Sequence, residues 1–265
     1  MTITSGGEQA QLHDAASTGV ESRANDRSLA GIFLTPALLI GALIALYLYV
    51  HSKTLDSIEK RPLNRAFLTT HFIQHLELTG LSTVLVILTA IPLGILLTRP
   101  AMRRASPVVL AIVNVGQAVP SIALLVLFAI WFNVGFRYAI VALVVYSFLP
   151  VLRNTMTGLQ RVDRSLIDAA RGMGMTKPLV LRRVELPLAV PVMMAGIRTA
   201  LIINVGTATL ATFTSAGGLG SVIDVGLKLD RRTVTITGAV LVAVLALAID
   251  WLAGLAERVL RPRGI

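Results

Sequence analysis

The chain has 265 residues, of which 55% are hydrophobic and only 14% are charged, and its mean hydropathy is +0.77. Soluble domains carry about 25% charged residues because their surfaces face water, so this composition excludes an ordinary soluble domain. The net charge of +10 is spread between apolar stretches, which favours membrane orientation over nucleic-acid binding. No cysteine is present and the four histidines are scattered, which excludes disulfides and thiol catalysis and predicts no metal site.

Residues 1–28 are polar and rich in Ser, Ala and Gly, and we predict that they form a disordered cytoplasmic tail. Six apolar stretches follow, each close to the ~20 residues that a helix needs to cross the hydrocarbon core. The predicted fold is therefore an all-α, polytopic bundle with about six spans. Those spans cover residues 29–50, 78–98, 107–131, 138–158, 187–212 and 233–256. Residues 70–256 are predicted to form the main transmembrane domain, with a cytoplasmic loop at 159–187 and a basic cytoplasmic tail at 257–265.

Orientation follows from the distribution of Lys and Arg, which concentrate on the cytoplasmic side of membrane proteins. With the N-terminus inside, the inner segments hold 14 of these residues and the outer segments hold 8. The bias predicts that both termini are cytoplasmic, although the outer loop at residues 51–75 is unusually basic.

The long inner loop at residues 159–187 has helical periodicity. One predicted helix face carries apolar side chains at i, i+3, i+4 and i+7, namely Leu166, Ala169, Ala170 and Met173. Gly172 and Gly174 then end this helix, and Thr176 is placed to cap a second short helix before Pro187 opens the next span. Periodicity alone leaves two interpretations open, which are a helix lying on the inner leaflet and a docking surface for another protein.

Several polar residues fall within the predicted spans, where desolvating a charge costs roughly 2.5–3.5 kcal/mol. Arg198 and Asp250 lie at depths that could let them pair, either as a structural ion pair or as part of an inner gate. Asn114, Gln117 and Ser121 recur at helical spacing on the third span, and Asn204 lies on the fifth. These four side chains line a translocation path or bond a neighbouring helix.

The loops are too short to hold a nucleotide-binding domain, and the chain has no GxxxxGK[ST] phosphate loop. Any ATP-driven work would therefore require an ATPase on a separate chain. An ATP-independent secondary transporter should show inverted repeats or ionisable residues at mid-membrane, and a membrane enzyme should show clustered His, Asp or Glu. The sequence shows no such repeat or cluster, and only Arg198 lies near mid-depth.

The spacing in the long loop resembles a signature of the membrane subunits of binding-protein-dependent ABC importers. That signature reads Glu-Ala-Ala, three residues, Gly, nine residues, Ile, one residue, Leu-Pro. This chain has the same spacing, with Asp for Glu and Val for Ile, in the residues Asp168, Ala169, Ala170, Gly174, Val184, Leu186 and Pro187.

The resemblance implies a permease of the type I, methionine-permease-like fold in the bacterial cytoplasmic membrane. The loop would be a coupling helix seated in a cleft of a cytoplasmic ATPase dimer, which would hold ATP and Mg²⁺. The other implied partners are an extracytoplasmic substrate-binding protein, a second permease subunit and membrane lipid. The chain itself would perform no covalent chemistry and carry no cofactor.

Three further segments, at residues 117–125, 149–155 and 184–220, resemble the osmoprotectant branch of these importers, which carries betaine, choline and carnitine. The methionine branch is the nearest alternative, since it shares the pattern Ala216-Gly217-Gly218-Leu219-Gly220. The Gln-x-x-Pro-Ser segment at 117–121 and the Gly-Ile-Arg-Thr-Ala segment at 196–200 favour the osmoprotectant branch.

Overall fold

A computed structural model describes residues 33–260 of the chain. The predicted tail at residues 1–28 and residues 261–265 lie outside this range. The helices, numbered in chain order, are α1 (Phe33–His51), α2 (Ser57–Lys60), α3 (Arg65–Thr98), α4 (Ser106–Ala118), α5 (Ser121–Trp131), α6 (Phe136–Gln160), α7 (Arg164–Gly172), α8 (Lys177–Val180), α9 (Leu186–Leu210), α10 (Gly220–Lys228) and α11 (Arg232–Leu260). A π-helical turn, Leu181–Glu185, joins α8 to α9.

Among residues 33–260, five helices are long and apolar enough to cross a membrane, and the bent pair α4–α5 makes a sixth candidate span. This arrangement confirms the prediction of an all-α bundle with about six spans. The helix α3 begins at Arg65, well before the predicted residue 78, because Asn64 caps it by accepting the Phe67 N–H at 2.7 Å. Its 34 residues extend about 51 Å, which is longer than the ~30 Å hydrocarbon core.

The third span is not the single helix that we predicted for residues 107–131. Its two halves, α4 and α5, meet at an angle of 96°. Pro120 has no N–H to continue the helical ladder and disfavours helical torsions at the preceding residue. Val119 accordingly takes an extended conformation with φ −75° and ψ 133°, and the chain turns there.

The centre of the bundle is formed by α3, α6 and α9, which pack against one another along most of their length. The buried aliphatic side chains between them include Val86 and Ala90 from α3, Leu152 from α6 and Ala200 from α9. The helices α4 and α5 pack on α6, whereas α11 packs on α9 and on α10.

Glycines bring the central helices into close contact. A Cβ placed on Gly196 would lie 2.6 Å from Asn154 Cβ and 2.8 Å from the Pro150 carbonyl oxygen. A Cβ placed on Gly158 would lie 3.0 Å from the Ala189 carbonyl oxygen. Because lipid is as apolar as the helices, close backbone approach and dispersion contacts must hold them together.

The variant Gly196→Ala tests this contact. We expect it to lower the free energy of unfolding by about 1–3 kcal/mol, since the new methyl group forces α6 and α9 apart. Thermal unfolding of the purified chain in detergent measures the change. Gly206→Ala on the same helix is the matched control, because nothing lies within 4 Å of its added Cβ. Equal destabilisation by the two variants would show that the helices do not meet at Gly196.

Candidate functional site: the loop between α6 and α9

The long inner loop begins with α7, whose two ends are both fixed by local hydrogen bonds. Asp163 caps the start, where its Oδ1 accepts the Ser165 N–H at 2.9 Å. This hydrogen bond lowers the pKa of the Asp163 carboxyl below its ordinary value. At the other end, the Met173 N–H donates to the Ala169 carbonyl at 3.0 Å and the Met175 N–H to the Ala170 carbonyl at 3.2 Å. Gly174 has φ +84°, a left-handed conformation that favours glycine at a helix end.

The outward face of α7 differs from the predicted one by a single residue. Leu166 is 48% exposed and Met173 is 72% exposed, and Ala169 and Asp168 are exposed beside them. Ala170 is only 2% exposed, because α7 packs on α8 and on the π-helical turn. The prediction that Ala170 shares the exposed apolar face is therefore wrong, and its small side chain instead lets α7 approach the bundle.

The second half of the loop is not a separate helix that ends before Pro187. An apolar helix runs from Lys177 to Thr214 over 38 residues, and Pro187 lies inside it. The π-helical turn makes this continuity possible, since the Leu186 N–H donates to the Leu181 carbonyl and Pro187 has no N–H to place. Val184, Leu186 and Pro187 are partly buried in this junction, so they shape the helix and do not add to the exposed face of α7.

An ion pair that the sequence analysis missed joins this junction to the end of α3. The Arg99 guanidinium donates to Glu185 from Nη1 to Oε1 at 3.2 Å and from Nη2 to Oε2 at 2.5 Å. The Glu185 side chain is 9% exposed and that of Arg99 is 34% exposed. One signal was available, since Glu185 is the only acidic residue between Asp168 and Asp224.

The sequence left open whether Arg198 pairs with Asp250, and in the structure the two side chains do pair. Arg198 Nε donates to Asp250 Oδ1 at 2.5 Å and Nη2 to Oδ2 at 2.6 Å, and Glu257 Oε2 lies 4.0 Å from Nη1. This bidentate contact fastens α9 to α11. Both side chains remain about a third exposed, at 39% and 28%.

The three polar residues predicted on one face of the third span do not share a face, because the break at Val119–Pro120 separates them. Asn114 is exposed on α4, and Ser121 begins α5. Gln117 Nε2 donates to the Tyr146 carbonyl at 2.9 Å and so ties α4 to α6. Asn204 is fully buried, and its Nδ2 donates to Thr83 Oγ1 on α3 at 3.0 Å.

On the outer side, α3 holds the glycine-rich loop that follows α9. The N–H of Gly218 donates to Gln74 Oε1 and the N–H of Leu219 to His75 Nδ1, both at 3.2 Å. His75 Nδ1 is therefore an acceptor, and Nε2, 3.2 Å from the Val205 carbonyl, carries the ring proton. The fully buried imidazole thus joins the start of the bundle to the outer loop, which is a turn between α9 and α10.

The ion pair of Arg99 and Glu185 gives a direct test of the junction. We expect Glu185→Gln to lower the free energy of unfolding by about 1–3 kcal/mol, since Arg99 loses a charged partner in a partly buried site. Asp224→Asn is the control, because Asp224 pairs with the exposed Lys228 one helical turn away and such pairs contribute about 0.5 kcal/mol or less.

The single variant Arg99→Gln and the double variant Arg99→Gln/Glu185→Gln complete a double-mutant cycle with Glu185→Gln. If the two side chains act on each other, the loss in unfolding free energy of the double variant is smaller than the sum of the two single losses. Strictly additive losses would contradict the ion pair.

Residues 90–262 match the family described as binding-protein-dependent transport system inner membrane component. The chain is also similar to curated permeases. It is 46% identical over 192 residues to the choline transport system permease protein OpuBB of Bacillus subtilis, covering 72% of this chain and 88% of that protein. It is 41% identical over 223 residues to the osmoprotectant import permease protein OsmY of Salmonella typhimurium, covering 84% and 93%.

Solved structures with a similar fold include chains of the MetNI methionine ABC transporter in inward facing conformations. One such chain has a TM-score of 0.65 and 28% sequence identity, over 74% of this chain and 96% of that one. A second has a TM-score of 0.66 and 29% identity, over 76% and 99%. The fold is thus that of the type I ABC importer permeases. Together with the family match, this shows that the chain belongs to the binding-protein-dependent transport system inner membrane components, as a multi-pass permease of an ABC importer.

Proposed function

We propose that the chain carries small osmoprotectants of the choline, glycine betaine and carnitine class into the cell by alternating access, driven by a separate ATPase. The observation that carries this proposal is the position of α7. The exposed apolar side chains are Leu166 and Ala169 of α7 and Met173, which follows α7. They lie just before one helix that runs from Lys177 to Thr214. A protein seated on α7 could therefore move a membrane-spanning element directly.

The ATPase would dock on the outward face of α7, with Asp168 beside the apolar side chains as a charged contact. ATP and Mg²⁺ would be held by that partner, because the chain contains no phosphate loop of its own. ATP shifts the equilibrium between inward and outward states only to the extent that it binds one of them better. In this scheme closure of the ATPase dimer moves α7, and the permease converts that movement into reopening of the spans towards the outer side.

Two other partners complete the importer. The exposed side chains Val108, Ile112 and Val115 form one apolar face of α4, which supports a contact with a second permease subunit in the plane of the membrane. A substrate-binding protein would dock on the outer side, where the loop that follows α9 is held rigidly by Gln74 and His75.

The inner gate would include Arg198 and Asp250. Their ion pair fastens α9 to α11 yet stays partly exposed, as expected of a contact that borders an opening. The hydrogen bonds of Gln117 and Asn204 to neighbouring helices support structural roles for these two residues. Asn114 and Ser121 remain candidates for the translocation path.

The substrate class rests on the similarity to curated permeases for choline, glycine betaine and carnitine, at 38–46% identity. A methionine importer is the second candidate, because the solved relatives are chains of a methionine transporter. Their lower identity of 28–29% favours the osmoprotectant class.

The docking assignment is tested at Gly174. In Gly174→Ala the added Cβ has nothing within 4 Å, so the change acts only through the left-handed backbone, at about 1–2 kcal/mol. We expect α7 to shift and ATPase association and uptake to fall roughly 5- to 30-fold. Gly174→Asn should be milder because Asn tolerates this conformation.

Gly172→Ala is the matched control. Gly172 lies two residues away, has no positive φ and has open space around its added Cβ, so it should leave association and uptake near wild type. If Gly174→Ala also retains full ATPase association and uptake, α7 does not couple the two proteins.

Uptake of labelled solutes tests the substrate class. The permease is reconstituted in proteoliposomes with its ATPase and its binding protein, and ATP-dependent uptake of choline, glycine betaine, carnitine and methionine is compared. We expect transport of at least one of the three quaternary amines and none of methionine. Transport of methionine alone would reject the osmoprotectant class but keep the importer, whereas ATP-independent uptake would reject the importer.

A further inference from the structure

A half-open cavity of about 730 Å³ lies beneath the bundle on the predicted cytoplasmic side, bordered by the ends of α3 and α6 and by α7 and α8. Sites for small ligands typically have volumes of about 300–1,000 Å³. The apolar part of its lining includes Leu159, Ile167 and Val180. Because the spans α3 and α6 end at this cavity, it lies at the predicted cytoplasmic end of the bundle.

The rest of the lining is strongly cationic. Glu185 is the only acidic side chain in it, and Glu185 already binds Arg99. The cationic side chains are Arg99, Arg103, Arg164, Arg171 and Lys177. Within residues 33–260, no ion pair joins the last four of these to a carboxylate. Four positive charges therefore border one cavity without an anionic partner from the chain.

This arrangement differs from the general excess of positive charge on the cytoplasmic side. The nearby cations Arg104, Arg182 and Arg183 are equally exposed but do not line the cavity. The lining cations come from three separate elements, since Arg103 follows α3, Arg164 and Arg171 belong to α7, and Lys177 begins α8. Like charges on facing elements repel one another unless an anion lies between them.

We propose that this cavity binds a phosphate group, carried either by an anionic phospholipid of the inner leaflet or by a soluble phosphate compound. Guanidinium groups form paired hydrogen bonds with phosphate oxygens, and a lysine adds a point charge. The apolar lining gives room for the uncharged part of the ligand. Because the cations belong to both sides of the cavity, the bound phosphate would draw α7 towards the bundle.

Such a ligand would stabilise one position of α7. Its packing on α8 and the π-helical turn is its main attachment to the bundle, and Asp163 caps its first turn by accepting the Ser165 N–H. A phosphate bridging Arg171 to Arg103 would add a link between α7 and the end of α3. The inference concerns binding to this chain alone, so it does not depend on the substrate or on transport.

The test titrates the full-length chain in uncharged detergent with two probes, phosphatidylglycerol and inorganic pyrophosphate. The occupancy is followed by native mass spectrometry and by the shift in thermal unfolding, with an uncharged glycolipid as the blank. We expect saturable binding of one phosphate-bearing molecule per chain. Saturation by the lipid alone identifies a headgroup site, whereas saturation by pyrophosphate identifies a site for soluble phosphates.

Two double variants with the same change in charge separate the cavity from the surface. Arg103→Gln/Lys177→Gln should raise the Kd at least about tenfold, since two charge-assisted contacts are lost. Arg104→Gln/Arg182→Gln should change it less than about twofold. Arg103→Lys/Lys177→Arg keeps the charges and should retain binding, which separates loss of the site from loss of the fold.

Three results would overturn the proposal. The first is the absence of saturable binding of either probe to the wild type. The second is an equal loss of affinity in the two glutamine variants, which would indicate general surface charge. The third is wild-type affinity in Arg103→Gln/Lys177→Gln, which would show that the cavity does not hold the phosphate.

Discussion

The hydrocarbon core of a membrane contains no water, so every polar group placed there must find its partner within the protein. The contact of α3 with α9 meets this constraint in part through specific pairs, although Asn204 Oδ1 and Thr79 Oγ1 are buried without a hydrogen-bond partner among the residues that the structure describes. Asn204 bonds Thr83, and the His75 ring lies between the Val205 carbonyl and the Leu219 N–H. These bonds are possible only because the central helices lie close together, and Gly196 allows that approach between α6 and α9. Hydrogen bonds between the helices therefore depend on the close packing of those helices.

The same requirement accounts for the cytoplasmic end of the bundle. Here the backbone changes from α-helix to π-helix and back, and the carboxylate of Glu185 is nearly buried. Arg99, at the end of α3, supplies the charge that makes this burial tolerable. The loop that carries α7 is thereby attached to the core by a charged contact and by a continuous helix. A loop held in this way is mechanically joined to the bundle, as the proposed docking of an ATPase on α7 requires.

The positions of the membrane spans can be predicted from the sequence, but the side of each helix that faces the bundle cannot. Apolar length predicted the spans, and matching depth indicated that Arg198 and Asp250 could pair but did not decide whether they do. Periodicity identifies residues that share a helix face but does not say which edge of that face meets the bundle, so Ala170 was placed outward. The effects of Pro120 and Pro187 also differ. The backbone turns sharply at Pro120, whereas the helix continues through Pro187 because a π-helical turn precedes it. Only the neighbouring helices decide between these outcomes.

The continuous helix from Lys177 to Thr214 has a mechanical consequence. Its 38 residues form a rod about 57 Å long, with α7 joined to one end and the glycine-rich loop to the other. Arg198, near the middle, joins the rod to α11 through Asp250, and α3 and α6 pack on it as well. A displacement of α7 would therefore be passed to three neighbouring spans through one helix, and the π-helical turn interrupts the regular hydrogen-bond ladder of that helix at its cytoplasmic end.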